Sequence, residues 1–170
     1  MFCKNFRAFF CLALLASPLF GARVYRAMEN EPVVPNRLLV RVKGGARSAA
    51  VLSRLALHVY TIERNPALAD RARAVLASEN LRNITVRTGD GFAGWPDQAP
   101  FDRIIVTAAP EDVPAILFEQ LKPRGKLVAP VGRTPENQEL TLFERDMRGR
   151  VSRRSAGPVR FVPMLPGISR

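Results

Sequence analysis

From Arg37 onward the sequence alternates between short apolar runs and stretches with helical spacing, and this alternation restricts the fold more than any other feature. The runs Leu38–Val42, His58–Ile62, Ile84–Thr88, Phe101–Thr107 and Lys126–Val131 have strand length. Between them lie three helical stretches: Arg47–Leu57, one that starts at Pro66, and one from Asp112 and Pro114 through Leu121. Asn65 is placed to cap the second of these, with Pro66 at its first position. Leu68, Ala72, Val75 and Leu76 then share a face, and Pro123 and Gly125 stop the third helix. Beyond Val131 the period changes: "QELTLFERDMRGRVSRR" reads as two strands joined near Arg148–Gly149, a hairpin. The expected fold class is α/β, with a mostly parallel sheet, helices on both faces and a C-terminal antiparallel hairpin.

A chain of 170 residues with 47% hydrophobic residues suits one folded domain with a real core. Its net charge of +11 is uneven. Residues 1–60 hold nine basic against two acidic residues, 61–135 ten against nine, and 136–170 seven against four. The basic residues form no dense run and no interleaved aromatics accompany them, which argues against nucleic acid as a partner. Both cysteines, Cys3 and Cys11, precede the main body, which excludes a disulfide framework or cysteine zinc site there. The single His58 leaves no histidine cluster for metal and no histidine triad, so no metal is expected and His58 reads as structural or surface. Residues 1–36 form a separate segment, and residues 37–170 the domain. Lys4 and Arg7 precede "AFFCLALLASPLF", a run too short for a stable membrane span. It has the length of a signal-peptide core without a good cleavage site. Export is one reading; a leader packed on the domain and an N-terminus not native to it are the others.

In an open parallel sheet, ligands bind at the carboxyl ends of the strands. After the first strand comes "VKGGARSAA", with Gly44 in the turn. Glu63 follows the second strand, 19 residues after Gly44, near the roughly 20-residue spacing at which an acid reaches a ribose hydroxyl. A solvated acid at a helix entrance is the plain alternative. After the third strand stands Gly89–Asp90–Gly91, which suits a flat ring lying against backbone, or a plain turn. Thr107–Ala108–Ala109–Pro110, a loop of small residues, follows the fourth. Each signal is weak alone, and their order and spacing are stronger.

The blocks "AAVLSRLALHVYTIERNPALADRARAVL", "NITVRTGDGFAGWPDQAPFDRIIVTAAP", "LKPRGKLVAPVG", "QEL" and "GPVRFVPML" resemble the protein-L-isoaspartate O-methyltransferase family, from about Ala49 to Leu165. The resemblance implies a Rossmann-like, S-adenosylmethionine-dependent fold and methylation of isoaspartyl residues in damaged proteins and peptides. It implies that Glu63 holds the cofactor ribose, that Asp90 and Gly91 hold the adenine, and that Thr107 lies near the methionine end. A cytoplasmic monomer is expected. The family's glycine loop reads approximately G-x-G-x-G-Y-Q-A-A; here Gly44 keeps its place, Val42 and Ala46 replace the other glycines, and Arg47 and Ser48 replace Tyr-Gln. Residues 1–36 do not resemble the family's substrate-covering segment, so no catalytic residue is nominated. If both replaced positions take a left-handed backbone, they cost about 2–4 kcal/mol together. Two other readings compete: a non-catalytic remnant of the fold, and a basic module that touches nucleic acid or anionic membrane through residues 1–54.

Overall fold

The computed structural model describes residues 37–41 and 46–169, with side chains from residue 49 onward. Strands β1 (Arg37–Arg41), β2 (His58–Glu63), β3 (Ile84–Thr88), β4 (Phe101–Val106), β5 (Leu121–Val131), β6 (Glu139–Arg145) and β7 (Val151–Pro158) form one sheet. Its order is β3-β2-β1-β4-β5-β6-β7. The first five strands pair in parallel, and β6 and β7 close the sheet antiparallel. Helices α1 (Ala46–Ser53), α2 (Pro66–Ser78) and α3 (Ala115–Glu119) link the parallel strands.

Because side chains alternate across a strand, the sheet sorts its apolar residues into two layers. Tyr60, Ile62, Ile104, Val106, Leu127 and Ala129 pack with Trp95, Phe101, Leu117 and Phe143 in the main core. Tyr60 meets Trp95 and Phe101 edge-on, at ring-centroid distances of 5.6 and 5.7 Å. On the opposite face Ala49 and Leu76, from α1 and α2, pack with Val75, Leu81, Ile84 and Val86. Helices therefore cover both faces, as the strand–helix alternation requires.

Helix α2 starts where its sequence says: the Asn65 side chain accepts from the Leu68 N–H at 3.1 Å, with Pro66 in the first turn. The buried stripe is Ala69, Ala72 and Leu76, whereas Leu68 is exposed. Leu68 sits one residue round from the i, i+3, i+7 row that faces the sheet, so it does not belong to the expected face.

Helix α1 stops at Ser53, short of the expected Leu57, and the reason lies elsewhere in the chain. The Asn83 amide donates to the carbonyls of Ser53 (2.7 Å) and Ala56 (3.1 Å), satisfying helix-end acceptors. Strand β5 begins five residues earlier than expected, because Leu121 pairs with Phe101 and Lys122 bridges to Asp102 at 2.9 Å. Pro123 and Gly125 thus lie within the strand instead of ending a helix. Gly125 is needed there, since a Cβ would lie 2.7 Å from the Lys122 carbonyl oxygen.

Helix α3 ends before Leu121 because Gln120 turns inward. Its side chain accepts from the Trp95 N–H at 2.8 Å and donates to the Ala93 carbonyl at 2.9 Å. Gly94, between them at φ +60°, leaves no room for a Cβ against Gln120. Removing the amide orphans a buried backbone donor, which costs about 1–3 kcal/mol. Gln120→Ala is therefore expected to lower stability by about 2 kcal/mol in urea unfolding, with the slope unchanged. A loss under about 0.5 kcal/mol, the range of neutral surface changes, would contradict this.

Candidate functional site

The chain builds β1, β2 and β3 outward in one direction, then places β4 on the other side of β1. That reversal opens a crevice at the carboxyl ends of the strands around β1. Gly44 and Val42, expected at the cofactor-loop position, lie outside the described residues. Ala46 is the first residue of α1 and so right-handed helical. The left-handed penalty expected at Ala46 does not apply.

Glu63 is the last residue of β2 and half-buried. Its Oε1 accepts from the Asn65 N–H at 2.9 Å, which fixes the carboxylate at the mouth of α2. One residue beyond β3, the Gly89 N–H donates to the Glu63 carbonyl at 3.0 Å, so the two strand ends stay in register. Asp90 follows, half-buried, with Oδ1 accepting from Phe92 N–H (2.8 Å) and Oδ2 from Gly167 N–H (2.7 Å). Gly91 is buried. Thr107 is half-buried directly after β4 and leads into the buried Ala108, Ala109 and Pro110.

The structure thus brings Glu63, Asp90, Gly91 and Thr107 to one edge of the sheet, on both sides of β1. Two carboxylates held by backbone N–H groups on adjacent strands are preformed acceptors for ligand hydroxyl and amino groups. A cofactor with a ribose and an exocyclic amine fits that donor and acceptor set. His58 stands at the start of β2, the opposite edge, where Nε2 lies 2.8 Å from Thr85 Oγ1 and the ring packs 4.5 Å from Tyr60. Its role is structural.

The C-terminal block takes a role that its sequence pattern alone does not show. After β7, the buried Gln138 side chain brackets Phe161, donating to its carbonyl at 3.1 Å and accepting from its N–H. The chain then forms a parallel bridge at Pro163 with Ala109 and buries Met164 in the main core. Arg64 meets its end, donating from Nε to the Gly167 carbonyl at 3.2 Å and from Nη2 to the Pro166 carbonyl at 3.3 Å. The signal available was a run of Val, Phe and Met after the last strand, too apolar for a free tail.

Compared with known proteins, residues 25–168 match the family model described as Protein-L-isoaspartate(D-aspartate) O-methyltransferase (PCMT). A protein-L-isoaspartate O-methyltransferase of Alkalilimnicola ehrlichii is 48% identical over 153 residues, 90% of this chain and 68% of the relative. Among solved structures, a protein-L-isoaspartate O-methyltransferase superposes with a TM-score of 0.72 at 24% identity, covering 88% of this chain and 47% of the other. A second, described as a beta-aspartate methyltransferase (PCMT) from Plasmodium falciparum in complex with S-adenosyl-L-homocysteine, gives a TM-score of 0.62 at 17% identity, covering 88% and 74%. The chain spans about two thirds of the length of the curated relatives it matches and about half of the first solved structure.

The Gln138 bracket carries a prediction of its own. Gln138→Ala removes two hydrogen bonds that hold the C-terminal segment, about 2 kcal/mol together. Trypsin cleavage after Arg160 is expected to accelerate at least ~10-fold in the folded variant, as local opening becomes cheaper. Equal cleavage rates would show that the bracket does not hold this segment.

Proposed function

Because this chain belongs to the protein-L-isoaspartate O-methyltransferase family, we propose that it transfers a methyl group from S-adenosylmethionine to the carboxylate of L-isoaspartyl residues in damaged proteins and peptides. The observation that carries this reading is the placement of Glu63 and Asp90, half-buried carboxylates at the ends of adjacent parallel strands. In this reading Glu63 takes the ribose hydroxyls: its Oε2 has no partner among the described residues, while Oε1 is held by the Asn65 N–H. Asp90 accepts from the exocyclic amine, and the buried Gly91 lets the backbone lie against the adenine. Thr107 lies near the methionine end, and Gly44 stands in sequence at the position of the family's cofactor loop.

S-adenosylmethionine supplies an activated methyl group as a sulfonium. The chain's own task is alignment and exclusion of water. An aspartyl-type carboxylate, with a pKa of about 3.9, is ionised at neutral pH and needs no general base. A site without histidine or cysteine is therefore chemically sufficient. The family resemblance supports a cytoplasmic monomer, and among the described residues no helix is long and apolar enough to cross a membrane.

Two measurements test this reading. Labelled methyl groups from S-adenosylmethionine should appear on an isoaspartyl peptide and not on its aspartyl twin; equal labelling, or none, would contradict it. The Val42 replacement should weaken cofactor binding, because a left-handed site costs a side-chain-bearing residue about 1–2 kcal/mol. Val42→Gly is accordingly expected to tighten S-adenosylhomocysteine binding roughly 5- to 30-fold in calorimetry. Ala46→Gly should bring no such gain, and a gain there with none at Val42 would reverse the assignment.

A further inference from the structure

The segment Val162–Ser169 makes hydrogen bonds that land on the ends of three strands in turn. At the end of β4, Ala109 N–H donates to the Val162 carbonyl (2.8 Å) and Met164 N–H to the Ala109 carbonyl (2.7 Å). Past β3, Gly167 N–H donates to Asp90 Oδ2 at 2.7 Å. Past β2, Arg64 holds the Pro166 and Gly167 carbonyls, and Ser169 N–H donates to the Arg64 carbonyl at 2.9 Å. In the sheet β1 lies between β2 and β4. The segment therefore runs from the β4 side of β1 to the β2 and β3 side, anchored at one end by the buried Met164 and at the other by Arg64.

Gly167 is the pivot. Its φ of +71° is a left-handed conformation, and a Cβ there would meet nothing within 4 Å, so glycine serves the backbone and not the space. That conformation sends its N–H to Asp90 and its carbonyl to Arg64. Both oxygens of Asp90 are then held from separate parts of the chain, by Phe92 and by Gly167. A carboxylate has about four acceptor sites, so two remain for a ligand. The segment supports Asp90 without using up its capacity.

We propose that Pro166–Ser169 is a strap closing the adenine end of the crevice, and that Arg64 is the positioning residue which, through Gly167, fixes the Asp90 carboxylate in its ligand-accepting orientation. This rests on the reading of Asp90 as the adenine acceptor. Arg64 touches no ligand in this account. It acts by holding two carbonyls of the strap.

The test is calorimetric titration of S-adenosylhomocysteine into the full chain and into Arg64→Ala, Arg64→Lys, Asp90→Ala and a chain ending at Leu165, with amide exchange at Gly167 followed in the ligand-free proteins. Arg64→Ala and the shortened chain should each weaken binding roughly 5- to 20-fold, and their combination should weaken it no further, because both remove one unit. Arg64→Lys should recover part of the loss. Gly167 should exchange faster in Arg64→Ala, and the KM for S-adenosylmethionine should rise while the peptide KM and kcat hold. If Asp90→Ala weakens binding but Arg64→Ala and the shortened chain leave it unchanged or tighter, the strap proposal is overturned and the adenine assignment stands. If Asp90→Ala has no effect, or the unaltered chain binds nothing at millimolar ligand, the assignment falls and takes the proposal with it.

Discussion

The parallel pairing of β1 with both β2 and β4 is the constraint on which the rest of the structure depends. It aligns Val40 with Thr61 and with Ile105, so neighbouring strands end at one level. Glu63, Asp90 and Thr107 share an edge for that reason alone, coming from three separate strand ends. A slip of one residue would turn each strand's apolar set to the wrong layer, and the two differently built cores forbid it.

Three buried or half-buried amides complete elements that their local sequences leave short. Asn83 caps α1, Gln120 ties the loop before β4 to the end of α3, and Gln138 brackets the segment after β7. Each replaces regular backbone pairing with a side chain offering both donor and acceptor, as a buried loop requires. The same economy governs the site, where backbone N–H groups orient the carboxylates and leave acceptor capacity toward the crevice.

What the sequence made legible follows from this division. Strand β3 is Ile84–Thr88 as its pattern indicates, and α2 carries its cap and proline in the expected places, because those signals are local. The ends of α1 and β5 were not legible, since Asn83 and Phe101 decide them from far along the chain. Leu68 misled because helical spacing alone does not say which neighbouring row meets the sheet. That Glu63, Asp90 and Thr107 stand at or just past their strand ends was readable; the strap was not, since Arg64 and Gly167 are separated by 103 residues.

In the proposed reading the carboxyl edge of this sheet, and no other surface, receives S-adenosylmethionine. A crystal structure of the chain with S-adenosylhomocysteine tests it most directly. The expected result is the ribose hydroxyls at Glu63, the adenine between Asp90 and Gly91, and the homocysteine sulfur on the Thr107 side of β1. A ligand bound on another face, or bound here with Glu63 and Asp90 turned away from it, would contradict the claim.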